Sequence, residues 1–183
     1  QDGSASPLES ESESLSFNLQ GVSEPPELAV QDGSGSEVEA SGQDEGAISL
    51  SITPTKSDSV DGVLTIEISG VPDGASLGSY VNSQFTASDF AGKVASTVGG
   101  VTTYTYTLNE GTDGTYSGIN LSNLAIQPPP FDSSPISLDV SVKETSGSDI
   151  QSSAVTGAIT VTVSAVSNPS VVADPVDPDD INE

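Results

Sequence analysis

Residues 47–77 read AISLSITPTKSDSVDGVLTIEISGVPDGASL, and two alternating runs inside this stretch decide the fold class. Ile48, Leu50 and Ile52 alternate with Ser49, Ser51 and Thr53, and Leu64, Ile66 and Ile68 alternate with Thr65, Glu67 and Ser69. A period of two puts apolar side chains on one face of an extended strand and polar ones on the other, so each run expects one buried and one wet face. Asp61-Gly62 marks the turn between them and Pro72-Asp73-Gly74 the turn that follows.

Outward from this stretch the period persists. Tyr104, Tyr106 and Leu108 form one set, Ile136, Leu138, Val140 and Val142 another, and Ile159, Val161 and Val163 a third. Gly99-Gly100, Asp113-Gly114 and Gly147 supply further turn signals. Short strands at this spacing predict an all-β chain folded as an antiparallel sandwich. Two single helical turns are expected. One covers 86–91, with Thr86 or Ser88 as N-cap and Gly92 as terminator; the other covers 121–124. Proline at 128–130 excludes a central strand there.

Composition narrows the function. There are 27 Asp and Glu against three Lys, no Arg and no His, for a formal charge of −24 on 183 residues. Nucleic acid is excluded as a partner, because phosphate binding draws on Lys and Arg. Anionic membrane surfaces are disfavoured for the same reason, and the apolar runs fall far short of a membrane span, so direct insertion is not expected. Mobile cations are the natural counterpart, and Ca²⁺ prefers carboxylate and carbonyl oxygens. Cysteine is absent, which removes disulfides and thiolate metal sites but leaves an extracellular setting open. No basic segment followed by an apolar one opens the chain as a signal peptide would, which fits a fragment of a longer exported protein as well as a mature, processed one.

The motif order resembles the immunoglobulin-like repeats of giant bacterial RTX adhesins exported by type I secretion. The resemblance rests on the stretch at 47–77 with its ISGVPDGASL turn, on NLSNLAIQPPPFDSSPISLDVSVKE at 120–144 and on GAITVTVSAVSNPSVVADPVDP at 157–178; it spans residues 28–183. It implies a Greek-key, immunoglobulin- or cadherin-like sandwich that acts as a calcium-stabilised extender or spacer module on the bacterial cell surface. There it would support adhesion or biofilm formation, with adjacent modules of the same chain as its partners. The chain departs from the pattern over 79–118. A short Gly-Thr-Trp-Thr-Leu strand is expected soon after the turn, and Tyr104-Thr105-Tyr106 stands in its approximate place.

The chain also echoes itself. SFNLQGVSEPPEL at 16–28 aligns with TVTVSAVSNPSVV at 160–172, matching Phe17 to Val161, Leu19 to Val163, Val22 to Val166 and Pro25 to Pro169 at a constant offset. Chance likeness of two short β segments is the plain alternative. Read as a repeat, the chain divides into an acidic linker at 1–14, the exit strand of a preceding module at 15–27, a sandwich module at 28–168 and an acidic, proline-rich linker at 169–183. The first segment has too few apolar residues to order itself.

Acidic loops are the candidate metal site. Asp58 and Asp61 bracket one turn, Asp44 and Glu45 precede the strand at 48–52, and Asp149 lies in SGSD between two strands. Converging at one end of a sandwich, such carboxylates would repel one another, and a bound Ca²⁺ would offset the repulsion. The resemblance implicates Glu45, Asp58, Asp61 and Asp149 at one module junction, and Asp174, Asp177, Asp179 and Asp180 in the outgoing linker. The ordinary alternative is solvated surface charge, and no spacing matches an EF-hand or nonapeptide calcium repeat.

Catalysis is not expected. Without His or Cys there is no imidazole- or thiol-based nucleophilic site, and a carboxylate glycosidase would want aromatic sugar platforms that four Tyr, four Phe and no Trp hardly supply. The aromatic residues of 79–118 open a second reading, a ligand-binding module for a glycan or peptide. Tyr80, Phe85, Phe90 and Tyr116 are its candidate surface, whereas Tyr104 and Tyr106 share a strand face with Leu108 and are expected in the core. A passive stalk or surface-layer protein is a third reading.

Overall fold

The computed structural model describes residues 14–16, 24–38, 46–56, 62–87, 94–110, 116–117, 121–146 and 150–166. Fourteen strands and a single short 3-10 turn make up the regular structure among them. The alternating runs are the strands expected of them. Ile48, Leu50 and Ile52 lie in β3 (Ile48–Ser49), β4 (Ser51–Thr55) and the break between, while Leu64, Ile66 and Ile68 lie in β5 (Gly62–Pro72). β9 (Val101–Glu110), β12 (Ile136–Ser146) and β14 (Val155–Ser164) carry the other three sets.

Three sheets among the described residues, two large and one two-stranded, share one apolar core. The larger runs in the order β10-β9-β5-β12-β14-β2, where β10 is Tyr116–Ser117 and β2 is Gly33–Ser36; β8 (Val94–Val98) is added on β9 and β13 (Ile150–Gln151) on β12. The smaller has the order β3-β11-β6-β7, with β11 at Leu124–Gln127, β6 at Ser76–Val81 and β7 at Gln84–Thr86; β1 (Glu27–Gln31) pairs separately with β4. Ile52, Leu77 and Ile126 from one side meet Ile66, Leu108, Val140 and Val161 from the other in a single buried cluster. Each fully buried aliphatic side chain contributes about 1.5–3 kcal/mol, so this layer is the main source of stability. Among the described residues all strand pairs but one are antiparallel.

The exception is β2 with β14, which run parallel from Val161↔Gly33 to Ser164↔Ser36. The first described strand therefore takes part in two sheets: as β1 it pairs with β4, and beyond Asp32 it joins β14 as β2 in the larger sheet. GSGS is no strand by composition. It fits because the segment passes directly over Ile48: a Cβ added at Gly35 would sit 2.6 Å from Ile48 Cγ1. Carboxylates extend the ladder at both ends, Thr160 N–H donating to Asp32 Oδ1 at 2.8 Å and Val166 N–H to Glu37 Oε1 at 2.9 Å.

The expected turn at 121–124 is the 3-10 turn Leu121–Asn123. The expected turn at 86–91 is different. Thr86 ends β7, pairing with Ser79 across a hairpin whose Asn82 and Ser83 both take positive φ, and 88–91 lies outside the described residues. Much of 79–118 is likewise strand rather than loop, since the alternating Tyr106 and Leu108 carry β9 along the full edge of β5.

β5 kinks once, at a bulge between Ile68 and Val71, where Gly70 has φ +88° and its Cα faces the Ser137 carbonyl too closely to admit a Cβ. Gly70→Ala should lower stability by about 2–4 kcal/mol, combining left-handed strain with a backbone clash. Gly99→Ala, at positive φ but in open space, should cost only about 1 kcal/mol. Urea unfolding midpoints check the ranking.

Candidate functional site

The parallel β2–β14 pair gives the molecule two distinct ends. Glu27, Thr55, Gly62 and Ser146 lie at the end where β1 begins, linked by the pairs Glu27↔Thr55 and Gly62↔Ser146. Val38, Pro72, Gly74, Pro130 and Ser164 lie at the other, where β14 finishes.

All six nominated metal ligands, Glu45, Asp58, Asp61, Asp149, Asp174 and Asp177, lie outside the described residues, as do Asp179 and Asp180. Their described neighbours divide between the ends. Lys56, Gly62, Ser146 and Ile150 belong to the first end, whereas Gly46 lies against Val38 and the Ser36 carbonyl at the second. Among the described residues no group of three or more acidic side chains is gathered closely enough to hold a metal ion.

What the first end does hold is a buried ion pair. Lys56 Nζ stands 3.9 Å from Glu144 Oε1, with side-chain exposures of 7% and 1%. Both residues continue an inward series, Lys56 after Ile48, Leu50 and Ile52, and Glu144 after Ile136, Leu138, Val140 and Val142. A charged residue in phase with a buried series was the signal in the sequence, and its meaning appears only with the partner strand in place. β13 supports the acid: Glu144 N–H donates to Ser152 Oγ at 2.9 Å, and Ser152 N–H donates to the Glu144 carbonyl at 2.8 Å.

The described residues of the candidate ligand surface are divided between the two larger sheets. Tyr80 and Phe85 face each other across the β6–β7 hairpin of the smaller sheet, Tyr80 half-buried and Phe85 only 8% exposed, its ring laid over Gly78. Tyr116 is in β10 on the larger sheet, and Phe90 lies outside the described residues. Tyr106 is fully buried and its ring stacks on that of Tyr104 at 6.4 Å, as the shared strand face required. Burial, and secondarily the neighbouring Tyr104, push the Tyr106 hydroxyl well above the ordinary phenol range.

The second end displays an aromatic residue that periodicity did not single out. Phe131 is 71% exposed and sits at φ +58°, its N–H donating to the Val38 carbonyl at 2.9 Å. Beyond it, Asp132 Oδ1 accepts from Ser134 N–H at 2.8 Å, and the Ser134 hydroxyl and then its N–H hold the Asp132 carboxyl below its usual value. A shallow cleft of about 640 Å³ opens beside the sheet switch, lined by Asp32, Ser34, Ser49, Ser51, Thr53 and Ser122 among others. It offers hydroxyls and a carboxylate already engaged by Thr160. No helix among the described residues is long and apolar enough to cross a membrane.

Compared with known proteins, the sequence matches no protein-family model and none of the curated proteins.

Two outcomes test this chemistry. Lys56→Met strips the ammonium from beside a buried carboxylate and should cost about 3–5 kcal/mol, while the double variant Lys56→Met/Glu144→Leu should recover most of the loss, as a urea double-mutant cycle would read. A raised folded-state pKa for Tyr106 means its contribution is intact below the unfolded phenol value of about 10 and is lost as pH rises from there toward the folded value. Stability should therefore fall above about pH 10 by up to roughly 1.4 kcal/mol per pH unit more than in Tyr106→Phe, by urea midpoints at stepped alkaline pH.

Proposed function

We propose that this chain is an extender module of a secreted bacterial surface adhesin: an immunoglobulin- or cadherin-like Greek-key sandwich whose junctions are stiffened by Ca²⁺. The observation that carries the reading is the parallel pairing of β2 with β14. Among the described residues the first and last strands run the same way, which brings the segment in at one end and out at the other, the arrangement a string of modules needs. Ten residues of extended strand from Glu27 to Ser36 make each module roughly 30 Å long. The strand that changes sheet, the sandwich order and the acidic composition all support the same reading, as does the motif order at 47–77, 120–144 and 157–178.

In this mechanism the acids at 45, 58, 61 and 149 and those of the 174–180 linker collect calcium at module junctions. The ion neutralises carboxylates that otherwise repel and so orders the proline-rich connection. An ion bound only by the folded state stabilises it by about 2.7 kcal/mol at roughly 100 times its Kd. Calcium should accordingly raise the thermal midpoint by roughly 5–10 °C over the same protein in EDTA. Asp58→Asn/Asp61→Asn should remove most of that difference. A midpoint that ignores both calcium and EDTA would sink the reading.

A further inference from the structure

The sheet edges of this molecule are guarded in different ways. β2 is flanked by Asp32 and Glu37, whose carboxylates engage Thr160 and Val166. β1 opens with Glu27, β4 contains Pro54, and β7, β10 and β13 are three residues or shorter. Acidic side chains, proline and brevity are the usual means of keeping an edge from pairing with another chain. β8 has none of them. Its residues VASTV are uncharged, three of them β-branched, and all five are exposed, with Val94 at 65% and Val98 at 77%. Among the described residues β8 pairs with β9 alone, so its other edge is open.

The hairpin sets which groups face that edge. Gly99 and Gly100, both at positive φ, form a two-residue turn, which makes Val98 and Val101 a hydrogen-bonded pair, and likewise Ser96 with Thr103 and Val94 with Thr105. Thr97 and Thr102 are then a non-hydrogen-bonded pair, where side chains approach most closely, and their hydroxyls lie 2.9 Å apart. It follows that the N–H and C=O groups of Ala95 and Thr97 point away from β9.

We propose that β8 is a homotypic docking edge, pairing antiparallel with β8 of a second copy about a two-fold axis at Ser96. In that register each Ala95 meets the Thr97 of the other copy as a hydrogen-bonded pair, so all the outward backbone groups are satisfied. Val94 falls beside Val98 of the other copy, and Val101, 44% exposed, extends the apolar strip on the same face. The strand is its own complement, which an isologous contact requires. Charge favours the same partner geometry. With a net −24, two copies must meet where carboxylates do not oppose carboxylates, and residues 90–109 contain no acid. The remaining long-range repulsion makes the contact weak at low salt and stronger as salt screens it.

Cross-linking of the full chain tests the register. The protein has no cysteine, so Ser96→Cys introduces a single thiol at the axis, where two facing Cβ atoms about 4.5–5.5 Å apart permit a disulfide. Ser96→Cys should form covalent dimers at least about tenfold faster than Ser133→Cys, a thiol on an exposed loop. Sedimentation velocity of the unmodified protein should show a monomer–dimer equilibrium that shifts toward dimer as NaCl is raised. Thr97→Pro, which deletes one outward donor, and Val98→Glu, which sets charge against the other copy, should each abolish it with an unchanged circular dichroism spectrum. Equal cross-linking rates would overturn the proposal. So would monomer at every concentration, open-ended oligomers, or a dimer that salt dissolves.

Discussion

The first described strand belongs to two sheets, and the rest of the described fold is arranged around that fact. Along β1, paired with β4, its side chains Leu28 and Val30 pack on the core; after Asp32 its backbone completes the edge of the larger sheet. The change of sheet leaves the Thr160 N–H without a strand partner, and the Asp32 carboxylate takes that donor. The bond lies on the exposed rim, where such a contact contributes about 0.5–1.5 kcal/mol, so one of the 27 acids has a local structural role at the crossing. Because β2 and β14 run parallel, the described residues enter this strand arrangement at one end and leave it at the other.

Both ends of the core are finished with polar groups, by different means. At the first end the inward series of two strands terminate in Lys56 and Glu144, and the charges compensate each other in place of another aliphatic layer. Such pairs add little over apolar packing but are costly to break, which favours one register of β4 against β12 over its neighbours. At the second end the backbone does the work: Val38 bridges Pro130 and accepts from Phe131, and Glu37 tethers the chain leaving β14. Two of the carboxylates that make the chain strongly anionic, Asp32 and Glu37, thus close the β2–β14 ladder at its ends. What remains unguarded is β8, the strand whose partner lies outside the chain in our proposal.

The strands with a buried face were legible in the sequence because burial of one face writes a period of two into the chain. Ile48 to Ile52, Leu64 to Ile68, Ile136 to Val142 and Ile159 to Val163 all read correctly, and so did Tyr106 as core. β2 did not read as a strand, because GSGS is selected by the space above Ile48 and no face of it needs a large side chain. β8 escaped for a related reason: with both faces exposed, it carries no alternation of burial. Asn82-Ser83 closes a hairpin at positive φ without the glycine that usually signals one. Among candidate site residues, Tyr80 and Phe85 pair across the β6–β7 hairpin, a cross-strand register that the sequence does not spell out, and Tyr116 belongs to the other sheet.

By itself the sequence determined that the chain is all-β and that its core is mainly aliphatic. Those properties follow from local periodicity and from composition, which need no partner strand. Only the tertiary structure decided that the first strand changes sheets, that Lys56 faces Glu144, and that the chain passes from one end of the sandwich to the other. Each of these depends on which strands become neighbours, and residues as far apart as Asp32 and Thr160 meet only when the closed sandwich brings them together.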